Sequence, residues 1–131
     1  MGAWGIKTFE NDDASDWIYG LEEASDLSLI EDTLKLAESD YLEEPDGCNI
    51  LAALEVILVL QGKACSGLPE EASAWAAKHV SLDTTSLVSL AITSLERVLS
   101  EDSEIKELWE ESEDFQNWRS DVLSIKAALE N

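Results

Sequence analysis

Asp46-Gly-Cys-Asn-Ile50-Leu-Ala-Ala-Leu54-Glu55-Val-Ile-Leu-Val-Leu60-Gln61 is the stretch that decides the fold. Residues 50–60 are apolar except for Glu55, which leaves no clean polar side. A helix that is apolar all round is a buried one. The β-branched content of Val56-Ile-Leu-Val59 is compatible with a strand, but the length of 46–61 and the missing polar alternation decide for helix. Gly62 stands where a left-handed C′ residue ends a helix. Pro45, just upstream, is expected to push Glu44 out of the helical region. The apolar run is well short of the ~20 residues a spanning helix needs.

The flanking segments read as helices that could cover it. Asn11 or Asp12 is a candidate N-cap, followed by Ala14, Trp17, Ile18 and Leu21 on one face. Leu27, Ile30, Leu34 and Ala37 stripe a second helix over 26–39, capped by Ser28 with Glu31 or by Ser25. Tyr41 to Gly47 is a connecting loop. Pro69 fits the first turn of a fourth helix carrying Ala72, Trp75, Ala76 and His79. A fifth starts at Asp83 or Thr84, with Leu87, Ala91, Leu95 and Val98 inward. Leu108, Phe115, Val122 and Leu129 recur at intervals of seven, with Trp118 and Ile125 between them. A single helix over 104–129 would be about 39 Å long. Ser112-Glu-Asp114 offers a place to break it, and continuity there stays open. The expectation is an all-α, single-domain bundle of about six helices spanning 1–131. Its arm, residues 1–10, packs back because Trp4 and Phe9 are costly to hydrate. Gly2 and Gly5 are expected to permit turns with positive φ.

The 131 residues hold 29 acids and 8 bases, a formal charge of −21, with 45% apolar residues. Such a polyanion cannot release counterions from nucleic acid, and an anionic membrane surface is disfavoured likewise. Residues 22–46 hold ten acids and one base, and residues 96–114 hold nine acids and two bases. Two such blocks create a field that speeds encounter with a basic protein surface. Cys48 and Cys65 are too few for a disulfide framework and read as buried thiols. With no basic n-region and apolar h-region at the start, the expected location is the cytoplasm.

Chemical motifs are sparse. There is one histidine, His79, and no zinc, phosphate-loop or dinucleotide signature, so no cofactor and no metal site are expected. Glu55 inside the most apolar segment has two readings. It lies on a polar-tolerant edge or pairs with Lys63, Arg97 or Arg119, or it is an acid of raised pKa lining a pocket. Trp75 and Trp109, set among alanines or glutamates, are candidate interface anchors, with Glu110 and Glu111 beside Trp109.

The opening Met1-Gly-Ala-Trp4-Gly5-Ile-Lys-Thr-Phe9-Glu-Asn11-Asp12-Asp-Ala14-Ser-Asp16-Trp17 resembles the start of a bacterial family catalogued as domain of unknown function 4259. The pattern is Met-Gly-x-Trp-Gly, then Phe-x-Asn-Asp-x-Ala-x-Asp-Trp. Leu54-Glu55, Leu68-Pro69 and Leu108-Trp109-x-Glu111-Ser112 are similar to later parts of that family. The resemblance carries no assigned activity. Read physically, Asn11 caps, Asp16 bonds back to the arm, and Trp4, Phe9 and Trp17 cluster, with Gly5 and Asp12 part of the same motif. The alternative has the arm, Asp12 and Asp16 lining a ligand pocket.

These readings lead to a non-enzymatic binding protein for a basic protein partner, in the manner of immunity, antitoxin or inhibitor proteins. The alternative is a carboxylate-dependent, metal-assisted hydrolase built on Asp12, Asp16 and Glu55. A small-molecule sensor with an apolar pocket between helices is a third reading. The oligomeric state is left open.

Overall fold

The apolar segment forms a helix that touches every other one. In the computed structural model, which describes residue 5 and residues 7–63 and 68–131, it runs over Glu44–Leu60 as α3. Around it lie α1 (Asp12–Glu23), α2 (Ser28–Leu34), α4 (Glu70–Lys78), α5 (Val88–Val98), α6 (Glu104–Glu110) and α7 (Phe115–Glu130). All six pack on α3. Short 3-10 turns at Lys35–Glu38 and Thr85–Leu87 extend α2 and lead into α5. No named strand occurs among the described residues; Leu42 and Ser103 make an isolated parallel bridge.

Eleven residues of α3 are buried, among them Ile50, Leu54, Val56 and Ile57 at 0% exposure. The helix begins earlier than expected. Glu43, not Glu44, takes the extended conformation (ψ 155°), and Pro45 sits in the first turn, where a missing N–H costs nothing. The helix ends as expected at Gly62, with φ 81°. There Lys63 N–H donates to Leu58 O at 2.9 Å and Gly62 N–H to Val59 O at 2.9 Å, the paired bonds of a Schellman stop. Gly47 serves closeness instead of conformation. A Cβ there would stand 2.7 Å from Ile105 Cγ2, so α6 approaches α3 as near as backbone allows.

Local chemistry sets the other boundaries. Asn11 caps α1: its Oδ1 accepts from Ala14 N–H at 2.8 Å, and its Nδ2 donates to Thr8 O at 2.9 Å. Ala14, Trp17, Ile18 and Leu21 are the buried residues of α1, as their spacing predicts. At α2 neither serine caps. Asp26 Oδ1 accepts from Ser28 N–H at 2.9 Å, an Asx turn that starts the helix two residues later than expected. Trp17 Nε1 donates to Thr33 Oγ1 at 2.9 Å and ties α1 to α2.

The C-terminal segment does break. Ser112 Oγ accepts from Asp114 N–H at 3.0 Å, which closes α6 and opens α7. The heptad positions still face one seam: Trp118, Val122, Ile125 and Leu129 are buried, while Phe115 and Leu108 are half-buried. The end of α7 is held by Lys63, whose Nζ donates to the carbonyls of Ala128 and Asn131, a cation at the negative end of a helix dipole.

The arm is anchored where it is described. Phe9 is buried, and Lys7 Nζ stands 3.1 Å from Asp121 Oδ2 on α7. Trp4, Gly2 and Cys65 lie outside the described residues. At Gly5 a bare Cα makes room, since a Cβ there would meet the Glu10 carboxylate.

Candidate functional site

The two acidic blocks, some sixty positions apart in sequence, meet in one face. Leu42 supplies the contact. Its side chain is fully buried, its N–H donates to Asp102 O at 2.9 Å, and its carbonyl accepts from Glu104 N–H at 2.8 Å. With Leu42 turned inward, Tyr41 and Glu43 on either side are exposed, the alternation of a short extended segment. The loop after α5 is thereby laid against the loop before α3.

Three side chains lock the junction. Glu104 Oε1 accepts from Glu44 N–H at 2.7 Å, so a carboxylate on α6 caps the positive end of α3. Tyr41 Oη donates to Glu107 Oε2 at 2.9 Å. Arg97 acts as a clamp from α5. Its Nη1 donates to Ser100 Oγ and Asp102 O, each at 2.8 Å, and its Nη2 to Ser39 O and Asp40 O, each at 3.1 Å. The guanidinium is thus occupied by three carbonyls and a hydroxyl. The neighbouring carboxylates keep their charge for solvent or a partner.

The field acts on the groups inside it. Lost hydration, the bond to Glu107 and the charges of Glu107, Glu104 and Asp102 push the Tyr41 phenol up to about 12, so it is a neutral donor at ordinary pH. Burial, helped by Asp13 and Glu104, raises Glu44 above the usual carboxylate range. Burial, with Glu44 and Asp13 nearby, pushes the Cys48 thiol up to about 12, which makes it a core residue and no nucleophile.

The family described as "Domain of unknown function (DUF4259)" matches residues 2–121. The chain belongs to that family. No curated protein and no solved structure matches it. The family's span takes in the arm motif, α3 and both acidic loops.

The family motif is structural where it is described. Asn11 caps, and Phe9 and Trp17 share the core. Asp12 and Asp16 are exposed on α1; the bond back to the arm comes from Ser15, whose Oγ donates to Phe9 O at 3.5 Å. A cavity of about 20 Å³ lies behind the arm, lined by Thr8, Asn11, Cys48 and Trp118 among others but by neither Asp12 nor Asp16. That is room for one water.

Glu55 is half-buried midway along α3 and has a partner. Among the described residues, no three His, Cys, Asp or Glu side chains are grouped as a metal requires. Among them also, no helix is long and apolar enough to cross a membrane.

Trp75 and Trp109 are not exposed. They are 4% and 7% accessible. Trp75 Nε1 donates to Ala24 O at 2.9 Å, and its ring stacks on His79 at 4.2 Å. His79 Nδ1 lies 2.7 Å from Trp75 O; a carbonyl can only accept, so this nitrogen carries the proton. Trp109 stacks on Trp118 at 6.3 Å. Alanine and glutamate neighbours lower the local hydropathy without turning either ring outward. Glu110 and Glu111 are exposed, and Glu110 pairs with Lys106 at 3.8 Å. The aromatic presented among the acids is Tyr41, 42% accessible. Sequence reasoning passed over it as a loop residue, although an aromatic between Asp40 and Glu43 was the available signal. Arg97, one of two bases in an acidic block, was noted only as a candidate partner of Glu55.

Proposed function

We propose that this protein is a non-enzymatic binding protein that engages a basic protein partner through the acidic face around Tyr41, as immunity and inhibitor proteins do. The observation that carries the reading is the convergence of the two acidic blocks on one exposed tyrosine. Complementary charge raises the association rate, and a tyrosine at the centre of a charged patch is a frequent energetic anchor. Arg97 supports the reading by satisfying the loop carbonyls internally, which leaves the carboxylates to an incoming lysine or arginine. A cytoplasmic site of action accords with this role.

The test is isothermal titration against the basic proteins encoded beside it, at 50 and 300 mM salt. Binding is expected to weaken with salt and to fall about 10-fold or more with Tyr41→Ala. If no neighbour binds, or if binding ignores salt, the proposal fails.

A further inference from the structure

We infer that the groove between the 3-10 turn Lys35–Glu38 and α5 receives the apolar face of a basic amphipathic helix supplied by the partner. This rests on the reading of the acidic face above and adds to it the element that selects by shape. The groove encloses about 360 Å³. Leu34 and Ser94 are buried at its base, Ala37 and Leu90 are half-buried on its walls, and Thr93 is exposed at its mouth. The hydroxyl hydrogens are already used: Ser94 Oγ donates to Ala91 O at 2.9 Å and Thr93 Oγ1 to Ser89 O at 3.0 Å. An incoming surface therefore meets mainly hydrocarbon.

The rim chooses the charge of the occupant. Glu38 and Glu96 line opposite walls and are exposed. Glu96 is 3.6 Å from Lys126, and its side chain keeps 57% of its exposure. Arg97 also lines the groove, but its donors are spent on the loops. Glu38 leads directly through Ser39 and Asp40 into the acidic face, so groove and face form one continuous surface. Residues 90–97 of α5 line the groove over roughly 11 Å at 1.5 Å per residue. That matches apolar anchors at i, i+4 and i+7 of a docked helix. A second copy of this chain is a poor occupant, because it brings another −21 to an acidic rim.

The test uses the whole chain and two synthetic 14-residue peptides of equal composition. One carries leucines at i, i+4 and i+7 with lysine and arginine elsewhere; the other is its scramble. The amphipathic peptide is expected to bind about 10-fold tighter, with amide shifts in 34–38 and 90–97. Thr93→Trp, which fills the mouth, is expected to erase that advantage, and Ser73→Trp, at an exposed position of α4, to leave it intact. Thr93→Lys, which sets like charge against the peptide, repeats the reading should the tryptophan disturb folding. Equal, salt-sensitive binding of both peptides centred on residues 39–44 overturns the groove and leaves the acidic face standing. Absence of binding by either peptide also overturns the groove, and titration against the neighbouring basic proteins then decides the face separately. A dimer in sedimentation that Thr93→Trp dissociates assigns the groove to a second copy and overturns the inference.

Discussion

Tyr41 Oη lies 2.9 Å from Glu107 Oε2 and donates to it across 66 positions of chain. The bond joins the loop before α3 to α6 and, with lost hydration and the charges of Glu107, Glu104 and Asp102, keeps the phenol protonated. In a Tyr19→Phe background only Tyr41 contributes phenolate absorbance. Its titration, followed near 295 nm, is expected at about 12 and is expected to fall toward the usual ~10 in Glu107→Gln. A phenol that titrates near 10 in both proteins would refute the coupling.

Arg97 makes four hydrogen bonds to two loops. Arg97→Met leaves the exposed carbonyls of Ser39 and Asp40 to water and Asp102 O to Leu42 N–H alone, and a loss of about 1–2 kcal/mol is expected. Hydrogen exchange should quicken in residues 39–44 and 100–104 before anywhere else. Arg97→Lys should recover little, since one ammonium cannot reproduce the guanidinium fork. Uniform protection across the chain would show that the clamp is dispensable.

Gly47 faces Ile105 at a separation no Cβ tolerates. Gly47→Ala is expected to cost about 1–3 kcal/mol by overpacking. Ile105→Ala alone should cost about 2–5 kcal/mol. Combined, the two should be less damaging than their sum, because alanine lacks the Cγ2 that crowds position 47. Strict additivity in denaturant unfolding would argue against the close approach.

Salt and pH should act together on the surplus charge. Two like charges 10 Å apart in water repel by about 0.4 kcal/mol before screening, and many such pairs sum to a sizeable share of a 5–15 kcal/mol stability. Added salt, up to about 0.5 M NaCl, is expected to raise Tm. Glu44 is raised in the folded state, so its ionised form opposes folding, and stability rises as pH falls from 7 through its range. Asp26 and Asp83 behave oppositely. Backbone and side-chain hydrogen bonds from Ser28 and Thr85 lower them, so their contribution stays until pH falls below the usual carboxylate range. Tm should therefore climb toward pH 5 and decline in stronger acid. A Tm that is flat or falling with salt would remove self-repulsion as a significant term.

The buried helix, its glycine stop and the inward face of α1 were legible because each follows from local chemistry: continuous apolarity, positive φ at Gly62, and 3.6-residue spacing. The break at Ser112 was visible as one of two options, and the Ser112 hydroxyl accepting from Asp114 N–H marks the one taken. The start of α2 was misread because the Asp26 carboxylate, two residues upstream of Ser28, competes for the same N–H groups as the serines. Trp75 and Trp109 illustrate a different failure. Local polarity says nothing about which way a ring points once a helix is docked, and both rings point inward. The acidic face was legible as two blocks. Their meeting was not, because it depends on Leu42 pairing with Asp102 and Glu104 across the chain.

That all six outer helices lean on α3 has a consequence for how the molecule comes apart. No cut in the chain leaves an autonomous half, because whichever fragment lacks residues 44–60 loses the surface its helices were shaped to cover. Nicking the chain between α3 and α4 should give two pieces that persist only as a mated pair, and loosening any one outer helix should be felt by the others through the shared axle.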